Sequence, residues 1–529
     1  MPVRRAPLEL PPLEGRTIPD LLERSRAFGE ERPFFHDLSG DRVLSYGEFL
    51  DKVAGVAQGL SERFSRGARI GVMAPNGAAP FVLRYALSCA GLVEVAVNGE
   101  HRGDVLKAML DVTRLDGLVV DDRYLPHVTS CGYDAGGVAI ILRAELDDML
   151  ARSGSWRERP RPDIAPGDPA RILFTSGTGD GSKGVELSHA YEVYTGKRRS
   201  EMLAMEPDDR WLYVTPLFHI DAISTTSVML HTGGAFVVAP NFSVPRFWRD
   251  VARSGATYLC YLGSLLALLM KGSDAPPDTT LRVAVGGGAS KELIEAVEAR
   301  FGFRVLEDFA MTECISCTLN QTGDRRLGSV GRPTEGYDIA VVDDAGAPVP
   351  AGSAGEIVIR AHEACGLFTH YFGDPAATAH AMRGGWFHTG DLGSFDADGY
   401  MYYLGRLKDV IRRRGENIST IELEAAAGTH PGVSSSAAVG VPSELGEEEI
   451  LLYVEVVPGA VVDPAELCSH LEARVAPFML PRFVRLVETL PRTQTQKVAK
   501  SELSREVDEQ TWSRRKGRAS PRPVAGECV

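Results

Sequence analysis

The stretch "LRVAVGGGASKELIEAVEARFGFRVLEDF", residues 281 to 309, constrains the fold more than any other part of the chain. An apolar β-rich run ends in three glycines. Leu293, Ile294, Val297 and Phe301 then recur at helical spacing, and a second apolar run follows. Strand, glycine turn, helix and strand make a βαβ unit, whose ligand edge is formed by the loops at the carboxyl ends of the strands. The pattern recurs upstream: "ARIGVMAPN" reads as a strand into a turn, and "GAAPFVLRYALSCAGLVEVAVN" as a helix and a second strand. The first three quarters of the chain therefore predict layered α/β architecture.

From about residue 335 the texture changes. "YDIAVVDDAGAPVPAGSAGEIVIR" alternates apolar residues around an Asp-Asp-Ala-Gly turn and predicts antiparallel hairpins. "DGYMYYLGRLKDVIRRRGENIS" offers one more strand and then a charged segment with few core residues, the expected joint. Beyond it, "SSSAAVGVPSE", "EILLYVEVVP" and the helix "DPAELCSHLEARV" form a compact α+β unit. The expected domains are 1–405, layered α/β subdomains plus a β-rich subdomain, and 406–505, a small mobile α+β unit. Residues 506–529 lack apolar period and are expected to be a flexible tail.

A chain of 529 residues is too long for one hydrophobic core. With 44% hydrophobic and 24% charged residues it reads as a folded soluble protein. The formal net charge of -14 argues against a general nucleic-acid or anionic-membrane surface. The N-terminal "MPVRRAPLELPPLEG" lacks the continuous apolar core of a secretory signal, and no apolar run approaches a bilayer span, so a cytoplasmic location is expected. The eight cysteines are scattered and make no disulfide framework. Cys314 and Cys317 have CxxC spacing, but no second pair or histidine cluster completes a zinc site, and buried structural thiols are expected.

Chemistry first surfaces in "FTSGTGDGSKGVELSH", after the predicted strand "RILFT". Glycines 177, 179, 181 and 184 let backbone N–H groups approach an anion, Ser176 and Thr178 add hydroxyl donors, and Lys183 adds charge. It is not a Walker loop, because Lys183 lies between Ser182 and Gly184. Further motifs follow in order: "TPLFH" at 215–219, "GGGAS" at 286–290, "EDFAMTE" at 307–313, "GSVGRP" at 328–333, "GWFHTGDLGSFDADGY" at 385–400, "GRLKDVIRRRGENIS" at 405–419 and "LPRTQTQKV" at 490–498. This ordered set resembles the adenylate-forming superfamily of acyl-CoA synthetases, luciferases and peptide-synthetase adenylation domains, over nearly the whole chain. "RRRGENISTIELE", "PLFHIDA" and "TQKVAKSEL" are most similar to the crotonobetaine/carnitine–CoA ligase-like branch.

The resemblance implies a two-step reaction. A carboxylate attacks the α-phosphate of ATP to give acyl-AMP and pyrophosphate, and the thiol of CoA then displaces AMP. It also implies roles. Lys497 matches the lysine that binds carboxylate and α-phosphate oxygens. Thr312 and Glu313 match a pair in which the hydroxyl reaches the α-phosphate and the carboxylate helps hold Mg²⁺. Thr175, Ser176, Gly177, Thr178 and Lys183 correspond to the phosphate loop, and Asp391 to the carboxylate that accepts the ribose hydroxyls. Arg406 corresponds to an arginine near ribose and phosphate. Gly286, Gly287, Gly288 and Phe309 are expected to sandwich the adenine, with Glu307 and Asp308 beside it. His219 matches the gate between acyl pocket and thiol tunnel. Tyr261, Gly263 and Met311 are expected to join it around the acid, with Gly263 and the glycine run leaving room for a bulky one. Gly415 matches a glycine beside the pantetheine arm, and Lys408 the hinge about which the small domain swings between two poses.

The match departs from the family's usual phosphate loop at 179, 180 and 182, which are Gly, Asp and Ser. A hydroxyl donor is lost and a carboxylate stands where glycine is expected. Beside phosphate charge, Asp180 costs about 1 kcal/mol at about 4 Å in water-like screening, and about 4 kcal/mol at an effective dielectric near 20. Two readings stay open: Asp180 points to solvent and does nothing, or it weakens ATP binding. "FAMTE" also replaces a usual Tyr-Gly with Phe309-Ala310, and Gln496 replaces a glycine before Lys497. The leading expectation is a complete acyl-CoA ligase acting on a small carboxylic acid as a monomer or homodimer. Behind it stands an enzyme that only thiolates an acyl-AMP supplied by a partner adenylating enzyme. Outside these are a non-catalytic nucleotide-binding regulator and an enzyme that acylates a carrier protein.

Overall fold

The computed structural model describes residues 7–152, 154–175, 183–272, 274, 276, 278–407, 411–413, 416–418, 420–442, 448–493 and 498–514. The βαβ unit forms as its periodicity predicts. Strand Val283–Gly287 ends in the glycines, Gly288 turns at φ +83°, and Ser290 caps helix Lys291–Phe301 by accepting the Leu293 N–H. Ile294, Val297 and Phe301 are buried and strand Arg304–Met311 returns parallel to the first.

These strands belong to a nine-stranded sheet. Its centre is parallel and runs in the order Arg304–Met311, Val283–Gly287, Tyr258–Leu262, Arg210–Tyr213, Ala235–Val238, Pro33–Asp37. Antiparallel strands close both edges. A seven-stranded sheet has a parallel part in the order Pro169–Phe174, Val93–Ala96, Arg69–Met73, Gly117–Val120, Ala139–Leu142. Strands Gly184–Ser188 and His370–Tyr371 extend it antiparallel. Helices Tyr46–Ser61, Ala78–Cys89, His189–Met202 and Ile220–Thr232 supply the apolar residues of the core they share with both sheets. Fully buried parallel strands of this kind read as continuous apolar runs.

The region after 335 is antiparallel, as the hairpin signals predict. Strands Tyr337–Val342, Gly355–Ala361, Trp386–Phe395 and Met401–Arg406 pair in succession. In the carboxy-terminal unit, strands Val433–Pro442, Glu448–Val456 and Phe483–Val487 share a core with helices Thr420–Gly428 and Pro464–Glu472. Here the structure corrects the expected tail. Trp512–Ser513 pairs antiparallel with Phe483–Val487, and Arg485 bonds the Glu506 carbonyl, Thr511 Oγ1 and Asp508. One aromatic residue and a buried arginine dock a segment that shows no apolar period. Residues 515–529 lie outside the described residues.

Gly263 follows the strand Tyr258–Leu262. A Cβ built on it would lie 1.8 Å from the Gly288 carbonyl oxygen, and one on Gly286 would lie 2.0 Å from the Tyr261 carbonyl oxygen. The two chain segments touch backbone to backbone, so the space freed at Gly263 is already filled by protein. That differs from the expectation of a roomier acyl pocket. Gly263→Ala must push apart backbone and not a flexible side chain. It is expected to lower stability by about 1–3 kcal/mol, seen as a lower denaturant midpoint at unchanged slope, whereas a wild-type midpoint would contradict this account.

Candidate active site

The expected phosphate loop is closed at its base. The Thr175 N–H donates to the Lys183 carbonyl at 3.0 Å and the Lys183 N–H to Thr175 Oγ1 at 3.2 Å. Ser176, Gly177, Thr178 and Asp180 lie outside the described residues, as do Lys408, Gly415 and Lys497. The Lys183 ammonium sits 4.8 Å from the centroid of the Tyr371 ring. Tyr371 pairs with Val185 on the strand that leaves the loop, and its hydroxyl donates to Glu313 Oε1 at 2.8 Å.

Thr312 and Glu313 form the turn between strands Arg304–Met311 and Cys314–Leu319, where Met311 faces Cys314 across the pair. The Glu313 side chain is buried, and its backbone carbonyl accepts the Phe368 N–H at 2.9 Å. Burial pushes its carboxyl above the ordinary range, opposed by the Tyr371 hydroxyl and the charges of Arg406 and Lys183. Tyr191 donates to the Thr312 carbonyl at 3.1 Å. Lys183, Thr312, Glu313 and Arg406, far apart in sequence, are thus brought to one region.

Asp391 and Arg406 are cross-strand partners, with Arg406 Nε 2.9 Å from Asp391 Oδ1. Asp391 is buried while the Arg406 side chain is 47% exposed, so the pair spans from interior to surface. Glu356 braces the adjoining turn by accepting the Gly390 N–H at 3.1 Å and pairing with His388 Nδ1 at 2.7 Å. Tyr371, Glu356 and His388 escape sequence reasoning. The "HYFGDP" run at 370–375 and the "GE" at 355–356 were available signals, but nothing local reveals their partners.

The two acidic residues expected beside the adenine lie on strand Arg304–Met311. Glu307 accepts the Ala289 N–H at 2.9 Å, and burial pushes its carboxyl up to about 7. Asp308, raised by burial to about 6, lies between Ser316 Oγ at 2.7 Å and Arg199 at 3.6 Å. Both carboxylates are engaged by protein groups, holding the glycine turn and the strand. Phe309 is 6% exposed, with its ring 5.8 Å from that of Tyr403.

His219 begins helix Ile220–Thr232, half-buried, its ring 4.5 Å from Phe218. Its loop is fixed from behind. Asn76 donates to the carbonyls of Thr215 and Ala239 and accepts the Leu217 N–H, while Arg84 donates to the Leu217 carbonyl at 2.7 Å. Two residues along from His219, Asp221 pairs with the buried Arg199 at 3.5 Å. Met311 is half-buried. Tyr261 turns instead into the core beneath helices Gly263–Leu269 and Lys291–Phe301, 1% exposed, its hydroxyl 3.4 Å from the Leu306 carbonyl. The alternation of side chains along a strand explains this, because Tyr261 shares the face of Leu259. Cys314 and Cys317 are buried thiols, as expected.

Among the described residues no group of three His, Cys, Asp or Glu side chains could hold a metal ion alone. Glu313 is a buried carboxylate of the kind that shares a hard cation with substrate phosphates and water.

The AMP-binding enzyme family matches residues 22–372, and the AMP-binding enzyme C-terminal domain matches residues 422–497. The sulfoacetate–CoA ligase of Cupriavidus necator is 36% identical over 65% of this chain and 68% of its own. The crotonobetaine/carnitine–CoA ligase of Salmonella paratyphi C is 31% identical over 87% of this chain and 92% of its own. Among solved structures, ATP-bound MatB from Rhodopseudomonas palustris superposes with a TM-score of 0.83 at 27% identity, covering 92% of this chain and 97% of that one. With the two matches in order along one chain and the motif residues gathered by the fold, this protein belongs to the AMP-binding enzyme family.

Proposed function

We propose that this chain is an acyl-CoA ligase. It joins a carboxylic acid to the thiol of CoA through an acyl-adenylate, consuming ATP and releasing AMP and pyrophosphate. The observation that carries the reading is the convergence of Lys183, Thr312, Glu313 and the Asp391–Arg406 pair from four separate segments. Arrays of fixed cations and donors suit a reaction whose barrier is charge development at phosphorus. The two CoA ligases reported above support the thiol acceptor.

In this reading Lys183 and the loop amides bind the phosphates, and Thr312 reaches the α-phosphate with its hydroxyl. Asp391 accepts the ribose hydroxyls, with Arg406 alongside. Gly286 to Gly288 and Phe309 flank the adenine, and His219 and Met311 border the acid. A magnesium ion held by Glu313 and the phosphates would supply counter-charge to the pyrophosphate leaving group. Lys497, on the small domain, binds the attacking carboxylate and the α-phosphate. Rotation about Lys408 then withdraws it so that CoA enters beside Gly415. A small-molecule acid and CoA are the partners of this chemistry. No helix among the described residues is long and apolar enough to cross a membrane.

Asp180 in the phosphate loop favours a second reading, in which ATP is used poorly and a preformed acyl-AMP is thiolated. The two half-reactions separate these readings when measured with one acid: pyrophosphate exchange for adenylation, and thioester formation from synthetic acyl-AMP. Exchange by the wild type supports the complete ligase, whereas thiolation without exchange selects the second reading. Lys497→Ala is expected to lower exchange by about 100-fold or more while largely sparing thiolation, and equal loss of both would contradict the two-pose mechanism. Asp180→Gly is expected to lower the KM for ATP about fivefold, the equivalent of about 1 kcal/mol. An unchanged KM would mean that the carboxylate faces solvent.

A further inference from the structure

Tyr371 lies outside the motifs that identify the reaction, yet it touches both charges on the phosphate side. Its hydroxyl is 2.8 Å from Glu313 Oε1 and its ring 4.8 Å from Lys183 Nζ. Among the described residues no ion pair joins Lys183 to Glu313, although each lies in the other's field. An ammonium and a buried carboxylate left free to meet would pair and hide both from a nucleotide.

The ring is held from every side that matters. Tyr371 is 7% exposed and Phe368 packs against it with ring centroids 4.8 Å apart. The backbone is stitched to the strand leaving the phosphate loop, with Thr369 N–H to the Glu186 carbonyl at 2.9 Å and Phe372 N–H to the Gly184 carbonyl at 2.7 Å. The Tyr371 N–H itself donates to Thr378 Oγ1 at 3.0 Å. Phe368 N–H holds the Glu313 backbone, so one short segment grips Glu313 twice. A neutral phenol can donate to the carboxylate while its π face attracts the ammonium, without exchanging charge with either.

We propose that Tyr371 is a positioning residue for adenylation, a spacer that keeps Lys183 and Glu313 apart and aimed so that both meet the phosphates of ATP. The inference rests on the ligase reading above and adds a residue to it. Tyr371→Phe keeps the ring and removes the hydroxyl, and Tyr371→Leu removes both contacts.

The test is calorimetric binding of α,β-methylene-ATP to the full chain with and without magnesium, alongside both half-reactions. For Tyr371→Phe we expect magnesium-free binding within about twofold of wild type, but about tenfold less tightening by magnesium and about tenfold slower pyrophosphate exchange, the order expected for one bond to a charged group. Tyr371→Leu should also weaken magnesium-free binding about fivefold, as Lys183 closes onto Glu313. Tyr371→Phe should cost nothing further in a Glu313→Gln background, which a merely structural role would not produce. Wild-type magnesium dependence in Tyr371→Phe, or full additivity with Glu313→Gln, would overturn the proposal even if Tyr371→Leu failed to fold. A wild-type chain that binds no nucleotide would overturn the ligase reading and the spacer together, whereas one that binds nucleotide but loses magnesium tightening in Tyr371→Phe supports both.

Discussion

Four buried charges sit where the two large sheets and their shared helices meet. Arg84 reaches Glu94 through both Nε and Nη2, Arg171 reaches Glu94 at 2.6 Å, and Arg171 Nε reaches Glu192 at 2.8 Å. Two cations balance two anions, and each side chain is 4% exposed or less. Such a cluster costs desolvation that well-packed apolar groups avoid, so what it supplies is registry: shifting one element would strand an unpaired charge. Arg84 lies on helix Ala78–Cys89, Glu94 and Arg171 on neighbouring strands of the seven-stranded sheet, and Glu192 on helix His189–Met202. Arg84 then donates to Leu217, in the loop that ends at His219. The position of the loop before His219 is therefore tied to the charge network between the layers.

A second constraint acts through absence of side chains. Gly263 and Gly286 let the ends of two parallel strands approach at backbone distance, Gly288 turns at positive φ, and Glu307 then ties the glycine turn to the next strand through the Ala289 N–H. Burial pushes that carboxyl up to about 7, opposed by the Ala289 N–H it accepts. The flat glycine surface proposed for the adenine is thus stiffened from behind by a residue whose motif position gives it the look of a ligand contact.

These cases show where sequence reasoning reaches and where it stops. Elements were legible wherever the local signal was strong: Ile294, Val297 and Phe301 recur as a helix requires, and the turn signals after 335 mark strands that pair antiparallel. Motif order pointed to the reaction class because the fold's connectivity brings motifs scattered along the chain to one region. Pairing in three dimensions was not legible. Glu94 in "GLVEV" and Arg171 in "DPARILF" are lone charges inside apolar runs, a sign that each has a partner but not of which one. Tyr261 was expected beside the acid, yet strand alternation turns it into the core. Trp512 anchors a segment that composition assigns to a tail, because one aromatic ring and one pairing strand leave no period to detect.

The same distinction bears on the proposed movement of the small domain. Arg406 ends the strand Met401–Arg406 and stands two residues before Lys408, so a rotation at Lys408 begins beside a side chain pinned to Asp391. The large domain's side of such a hinge is not left to the backbone alone. Asp391 is braced by its N–H on Thr389 Oγ1 and by the Glu356 contacts at Gly390 and His388, so Arg406 is attached to a rigid antiparallel sheet. In the proposed movement, torsional change would be confined to the residues after the ion pair, and the Asp391 side of the site would keep its geometry in either pose. An aspartate that grips the nucleotide while also fixing the near edge of the hinge would let the small domain exchange Lys497 for the thiol without loosening the adenylate. In the proposed reaction the mixed anhydride would then stay held during the interval when neither the lysine nor CoA covers it, which is when water would otherwise compete.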